Sequence, residues 1–186
     1  MKRSMITLVL LLAITSCKQP EPRRPVKVKS GSFFTETVER NKKILAQEEA
    51  LIRRIIEKDT ANDYHQSASG FWFQYQKKND TATYLPRPED GLLLSYNIVT
   101  MANDTIYTEE EIGLVPYIVD KQQLFPGLRY AVKLLKEGER AAFLFPSSLG
   151  YGYHGDNNKI APLTPIRSTI EIHEIKKQQS SINQNK

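Results

Sequence analysis

The sequence predicts an α+β domain with an antiparallel sheet, preceded by an amphipathic helix. Apolar residues recur at helical spacing over residues 35–58, and short runs of strand-forming residues, separated by turn residues, follow from residue 67 onward. One short helical segment lies late among these strands. This order of elements is typical of an α+β domain.

The N-terminus has the pattern of a secretory signal. Two basic residues, Lys2 and Arg3, precede an apolar run over residues 5–14. The run is too short to span a bilayer, because a transmembrane helix needs about 20 apolar residues. Residues 14–17, which end in Cys17, resemble the bacterial lipobox.

Cys17 is the only cysteine of the chain, so it has no partner for a disulfide. We therefore expect residues 1–16 to be a lipoprotein signal peptide and Cys17 to carry a lipid. A buried or free cysteine at the end of an apolar segment is the alternative. Residues 17–32 hold three prolines, several charges and almost no large apolar residue, which predicts a solvated tether.

The charge balance bears on the partners of the protein, and the expected lipid on Cys17 bears on its location in the cell. Removal of Lys2 and Arg3 with the signal lowers the formal net charge from +5 to +3, which indicates ordinary solvation, and we expect no nucleic-acid partner. A lipidated Cys17 predicts a protein anchored in the cell envelope and facing the periplasm. The residue after it, Lys18, is not acidic, which favours the outer membrane.

The helix predicted over residues 35–58 belongs to an N-terminal segment, residues 33–66. Its apolar stripe needs a partner surface. Because its polar face is balanced in charge rather than basic, packing on the protein's own domain is favoured over a position in the membrane surface. A helix that forms a dimer is the alternative.

The domain that follows, residues 67–176, consists mainly of predicted strands. These strands are residues 71–75, 92–100, 115–119, 140–145 and 168–175. In the last of them, Ile170 and Ile172 alternate with polar residues, which predicts one buried face. A short helix is predicted over residues 128–136. Residues 177–186 are expected to be a disordered tail.

Conventional catalytic patterns are not found in the sequence. The histidines His65, His154 and His173 do not have the spacing of metal ligands, and no glycine-rich phosphate loop follows a strand. We therefore predict no metal site and no cofactor. The acidic run 109–111 is expected to be the solvated charge of a loop.

Several short motifs occur in an order that resembles the FKBP family of prolyl isomerases. They are Phe125-Pro126-Gly127-Leu128, Gly138-Glu139-Arg140, Phe145-Pro146 and Leu149-Gly150-Tyr151-Gly152. Residues 90–96 and 168–170 resemble two further strands of that family, so the resemblance covers roughly residues 69–175. An ordered series of motifs is more specific than any one of them.

The resemblance implies an FKBP-like fold, in which an antiparallel sheet of five or six strands wraps around one short helix and leaves an apolar pocket between them. It also implies peptidyl-prolyl cis-trans isomerase activity, with Tyr96, Phe125 and Tyr151 as catalytic residues. The backbone N–H of Phe125 and the hydroxyl of Tyr151 would donate hydrogen bonds to the substrate. The implied lining residues are Tyr107, Val115, Leu124, Leu128 and Ile172. For any of the aromatic residues taken alone, ordinary core packing is the alternative.

This chain departs from the family pattern at several positions. Leu128 occupies the pocket-floor position that is usually tryptophan, and Thr108 occupies the position of an acid. Wall positions that are usually phenylalanine are Tyr107, Val115 and Ile172. The loop 152–166 is longer than usual, which leaves open whether Ile160 contributes to the rim. A catalytically weak FKBP-like binding module is therefore the alternative function.

The lipobox and the N-terminal helix together resemble the gliding motility-associated FKBP-type lipoproteins of Bacteroidetes. This resemblance implies proline-containing exported polypeptides as substrates and envelope or motility proteins as partners. It also implies contact with the membrane through the lipid on Cys17.

Overall fold

The computed structural model describes residues 30–178, with side chains from residue 34. The first helix, α1 (Ser30–Lys58), begins five residues before the predicted start and ends where predicted. The predicted signal peptide, Cys17 and most of the tether lie outside the described residues, as does most of the predicted tail. Within the described part, no helix is both long and apolar enough to cross a membrane. Residues from Val38 onward belong to one compact unit, to which the following description refers.

Helix α1 packs on the domain through one part of its apolar stripe. Ile52 is fully buried and forms a small cluster with Trp72 and Leu144. Packing on the protein's own domain, as predicted, is therefore confirmed for this part of α1. Glu48, whose charge assigned it to the polar face, is instead buried.

Eight strands within residues 30–178 form one antiparallel sheet. They are β1 (His65–Gln66), β2 (Trp72–Lys77), β3 (Gly91–Tyr96), β4 (Ile98–Thr100), β5 (Thr105–Tyr107), β6 (Val115–Ile118), β7 (Arg140–Phe145) and β8 (Ile166–Lys176). The spatial order is β1-β2-β7-β8-β3-β6, and β4 pairs with both β5 and β8. The long strand β8 thus pairs with three other strands and lies in the middle of the sheet.

The structure corrects one predicted strand and one predicted loop. The strand predicted over 92–100 is divided at Asn97, whose side-chain oxygen accepts a hydrogen bond from the Thr169 backbone N–H at 2.7 Å. Strand β5 was not predicted, and the acidic run 109–111 is not a loop. It begins a short helix, α2 (Glu109–Ile112).

The helix across the sheet, α3 (Pro126–Ala131), continues as a 3₁₀ turn over Val132–Leu134. The prediction of 128–136 was therefore wrong at both ends. The helix begins earlier because proline is well suited to the first turn, where its missing N–H costs nothing. Gly127 allows α3 to approach β7, since a Cβ on it would lie 2.5 Å from the Phe145 ring.

The core between α3 and the sheet is rich in aromatic side chains. Phe143 and Phe145 are two residues apart on β7, so their side chains point to the same face of the sheet. Their rings stack with centroids 5.7 Å apart, and Phe143 also stacks on Phe73 at 5.6 Å. This layer supports Phe125, whose ring lies 5.6 Å from that of Phe145.

Candidate active site

The three residues predicted to be catalytic lie together at one end of α3. The ring centroid of Phe125 lies 6.1 Å from that of Tyr96 and 5.5 Å from that of Tyr151. Tyr96 ends β3, Phe125 precedes α3, and Tyr151 follows the 3₁₀ turn Ser147–Leu149. Three separate elements thus converge on one aromatic site.

Phe125 occupies the N-cap position of α3, with φ −60° and ψ 146°. This extended backbone places its N–H outside the helical hydrogen-bond pattern, and within residues 30–178 it has no acceptor. The side chain of Phe125 is buried, with only 8% of the residue exposed. Phe125 can therefore supply both an apolar surface and a backbone donor at the same place.

Tyr151 lies in a turn between Gly150 and Gly152 and is half-buried. Burial, with smaller effects from Tyr96 and Asp156, raises the pKa of Tyr151 well above its ordinary value. The hydroxyl therefore stays protonated at physiological pH. Among the described residues it has no hydrogen-bond partner, so it is free to donate to a ligand.

The predicted lining residues lie in or against the same core cluster. Leu128 and Ile172 are fully buried in it, whereas Tyr107, Val115 and Leu124 are half-buried against it. Leu128, which the resemblance places at the pocket floor, lies in α3 and is aliphatic. The structure thus gathers these side chains on one side of the sheet, and their roles in binding stay predictions.

The loop 152–163 carries a polar residue that the sequence did not reveal. Asp156 accepts hydrogen bonds from the Tyr107 hydroxyl and from the backbone N–H groups of Asn158, at 2.9 Å, and Ile160, at 2.8 Å. Burial acts to raise the pKa of Asp156, but these hydrogen bonds outweigh it and lower the pKa below its ordinary value. The sequence left the position of Ile160 open, and the structure shows that its side chain is buried in the core cluster.

Lys159, in the same loop, forms an ion pair with α2. The Lys159 ammonium lies 2.9 Å from Glu111 Oε1, 3.2 Å from the Ile106 carbonyl oxygen and 4.7 Å from the centroid of the Tyr107 ring. Together with Asp156 these contacts hold the loop against β5. We define this set of contacts, made by Asp156 and Lys159, as the loop latch.

Thr108, which stands where the family has an acid, caps α2 instead. Its hydroxyl accepts from the Glu111 N–H at 3.1 Å, while the Glu111 side chain accepts from the Thr108 N–H at 2.9 Å. Glu109, the next residue, pairs with Arg140 on β7. In this chain the carboxylate near the aromatic site comes from Asp156 rather than from position 108.

Within residues 30–178, no group of three or more His, Cys, Asp or Glu side chains could hold a metal ion. The arrangement that the structure does show is an apolar aromatic site with two donors, the Phe125 N–H and the Tyr151 hydroxyl. Such a site can hold an apolar ring and orient neighbouring carbonyl groups. Together with the antiparallel sheet that packs against α3, it is typical of the FKBP-like class of domain.

Comparison with known proteins finds similar sequences. Residues 85–173 match the model of the FKBP-type peptidyl-prolyl cis-trans isomerases. The Probable FKBP-type peptidyl-prolyl cis-trans isomerase FkpA of Neisseria meningitidis serogroup B is 27% identical over 109 residues. That match covers 59% of this chain but only 39% of the length of the relative. These matches support FKBP-type isomerase activity for the domain.

Two crystal structures have a similar fold. FkpA from Escherichia coli superposes with a TM-score of 0.58 at 17% identity, covering 95% of this chain and 82% of that one. A peptidyl-prolyl cis-trans isomerase from Pseudomonas syringae pv. tomato gives a TM-score of 0.56 at 16% identity, covering 73% and 96%. The FKBP-like fold predicted from the sequence motifs is thereby confirmed.

Proposed function

We propose that the chain is a membrane-anchored peptidyl-prolyl cis-trans isomerase that acts on proline-containing polypeptides exported to the cell envelope. The observation that carries the proposal is the convergence of Tyr96, Phe125 and Tyr151 within the segment that matches the isomerase family. The remaining claims, on anchoring and substrates, rest on the sequence.

The site suits this reaction because prolyl isomerisation needs no nucleophile or metal. Rotation about a peptide bond has a barrier of about 18 to 20 kcal/mol, since resonance makes the C–N bond partly double. The twisted transition state has less charge separation than the planar amide, so an apolar aromatic pocket favours it. The Phe125 N–H and the Tyr151 hydroxyl would hold the flanking carbonyl groups in place during rotation.

A protease-coupled assay on a proline tetrapeptide tests the proposed activity. The wild-type chain is expected to accelerate cis-to-trans conversion. Tyr151→Phe keeps the ring but removes one donor, and we expect about a threefold to tenfold loss of kcat/KM, the value of one hydrogen bond. Tyr130→Phe, at an exposed tyrosine of α3, is the matched control. An unchanged rate in Tyr151→Phe would exclude this role for the hydroxyl.

The anchor is proposed from residues 1–17 and needs a separate test. Cells that express the chain would be fed a radiolabelled fatty acid, and their membranes would be separated by density. We expect label on the wild-type chain in the outer-membrane fraction and none on Cys17→Ser. Equal labelling of both chains would contradict lipidation at Cys17, and label in the inner-membrane fraction would contradict the proposed location.

Envelope proteins, including those of gliding motility, are the proposed clients. Support comes from the resemblance of the lipobox and helix to gliding motility-associated lipoproteins, because neither the fold nor the family match specifies a client. Deletion of the gene in a gliding bacterium that carries it would test the assignment. Loss of surface motility that wild-type protein restores and Tyr151→Phe restores poorly would support it.

A binding module without efficient catalysis is the second candidate. It is favoured by the aliphatic Leu128 at the pocket floor and by Thr108, which is occupied in capping α2. In that case a proline peptide would bind the wild-type chain but would not isomerise faster than in buffer. Restoring the family residue by Leu128→Trp would then increase the isomerisation rate.

A further inference from the structure

A second groove lies outside the aromatic site, between α1 and the turns that follow β7. It encloses about 240 Å³. One wall comes from α1 and the other from residues 147–163. The lining residues are Asn41, Ile44, Leu45, Glu48, Ser147, Ser148, Gly152, Tyr153 and Leu163. The residues on α1 are spaced at three, four and seven, so they form one face of the helix.

The floor of this groove contains a buried carboxylate with one unsatisfied oxygen. Only 8% of Glu48 is exposed. Its Oε2 accepts a hydrogen bond from the Ser147 backbone N–H at 2.8 Å, whereas its Oε1 is buried without a partner. Leaving such an acceptor unpaired is costly, which indicates that a donor belongs here.

Asn41, two helical turns before Glu48 on the same face, presents a second unpaired acceptor. Its side-chain Oδ1 is also buried without a hydrogen-bond partner. Both buried acceptors lie on the α1 side of the groove, whereas the buried donors without a partner among the described residues, Arg129 Nε and Arg167 Nε, belong to residues outside its lining. Within residues 34–178 no lysine, arginine or histidine forms an ion pair with Glu48. The complement to this surface is therefore a cation that also donates hydrogen bonds.

The remaining walls are apolar and reach the surface. Leu45 is 39% exposed and Tyr153 is 49% exposed, although both are large apolar side chains beside the groove. The long aliphatic stem of a lysine or arginine packs well on such a surface while its head group reaches a buried acceptor. Charge and shape thus fit a basic side chain better than a wholly apolar one.

The groove and the aromatic site take residues from the same short segment of the chain. Tyr151 contacts Phe125 in that site, whereas the next two residues, Gly152 and Tyr153, line the groove. We therefore expect one extended polypeptide to reach both places. Its proline would lie beside Tyr151, and a residue a short distance along the same chain would lie beside Glu48.

We infer that the groove is a second binding site for the client polypeptide and that it takes a lysine or arginine side chain. The charged head group pairs with Glu48 and Asn41, and the stem packs on Leu45 and Tyr153. The inference rests on the proposed isomerase function and deepens it. It makes the chain selective for prolines with a basic residue nearby, a preference that a short tetrapeptide cannot reveal.

Binding of labelled peptides, measured by fluorescence anisotropy, tests this inference on the purified chain. Each unstructured peptide has one proline and one lysine, and the lysine is moved through every position within six residues of the proline. A matched series carries norleucine in place of lysine. We expect at least one position at which the lysine peptide binds about tenfold more tightly than its norleucine partner, as a charged hydrogen bond provides.

Glu48→Gln removes the charge but keeps an oxygen that can accept from the Ser147 N–H. The lysine preference is expected to disappear in this variant and to remain in Glu57→Gln, a control at an exposed acid of the same helix. The tetrapeptide rate should be equal in both variants, which separates this inference from the isomerase proposal. Thermal unfolding checks that Glu48→Gln is folded.

Three outcomes would overturn the inference. One is equal binding of lysine and norleucine peptides to the wild-type chain at every position, which needs no variant to interpret. Another is an unchanged lysine preference in Glu48→Gln. The third is light scattering that shows a wild-type dimer and a monomeric Glu48→Gln variant, because a second copy of the chain would then occupy the groove.

Discussion

The predicted floor of the aromatic site consists of buried apolar side chains, whereas the loop at its predicted rim is held by hydrogen bonds and one ion pair. Leu128 and Ile172 lie in a core shared with the whole sheet. Asp156 and Lys159, the loop latch, bind β5 and α2 near the surface. The floor should therefore contribute mainly to global stability, and the rim should control access to the pocket.

A change at the floor should have the largest effect on stability. Leu128→Ala removes a fully buried side chain and leaves a cavity, so we expect a loss of about 2 to 5 kcal/mol in the free energy of unfolding. Urea denaturation followed by circular dichroism measures it. Leu85→Ala, at an exposed leucine, should change stability by less than about 0.5 kcal/mol. Equal losses in the two variants would contradict the assignment of Leu128 to the floor.

A change at the rim should open the loop and leave the core intact. In Gly155, φ is +64°, and a Cβ would lie 2.0 Å from the Ile160 carbonyl oxygen. Gly155→Ala should therefore displace the loop 152–163 and raise the KM for a proline peptide. Limited proteolysis should show faster cleavage within this loop. Gly113→Ala, at a glycine with similar φ but open space, is the control.

The loop latch should also respond to pH in a defined direction. Because the pKa of Asp156 is lowered in the folded protein, its contribution is fully present above the unfolded pKa of about 3.9 and is lost as pH falls through the folded value. Tyr107→Phe removes a hydrogen bond to the carboxylate and should raise the pKa. Titration of the Asp156 carboxyl carbon by NMR measures both values. A wild-type pKa at or above the ordinary value would contradict the latch.

The smallest effect is expected at the ion pair of the latch. Lys159 and Glu111 are both substantially exposed, and such pairs contribute about 0 to 1 kcal/mol. Lys159→Gln should therefore leave the urea midpoint almost unchanged, and 1 M salt should reduce the difference further. Amide exchange at Ile160 would detect local opening of the loop. A large, salt-independent loss of stability would place Lys159 with the floor instead.

The sequence predicted the aromatic residues of the site better than the loop beside them. Tyr96, Phe125 and Tyr151 stand in motifs whose order identifies the fold, and the fold brings them together. The contact between Asp156 and Tyr107 joins residues 49 apart, both in segments without strong periodicity. Strand β5 and helix α2 are only three and four residues long, too short for a periodic pattern to develop.

Helix α1 shows a second limit of sequence patterns. Its C-terminal end and its packing through Ile52 agree with the apolar spacing, whereas it begins five residues before the predicted start. Glu48 is four residues from both Ile44 and Ile52, so its spacing places it on the apolar face, and only the charge of its side chain assigned it to the polar face. Its burial depends on the Ser147 N–H, a partner 99 residues away. Local sequence patterns do not show which distant group forms a hydrogen bond with a buried polar side chain.

Exchange NMR on a proline peptide tests the central claim most directly, because it observes cis and trans forms at equilibrium without a coupling protease. Uncatalysed exchange takes tens to hundreds of seconds at 25 °C. With a catalytic amount of the chain, we expect cross-peaks between the two forms at mixing times below about one second, weaker with Tyr151→Phe. Peptide binding at the aromatic site without any such cross-peaks would contradict the isomerase assignment.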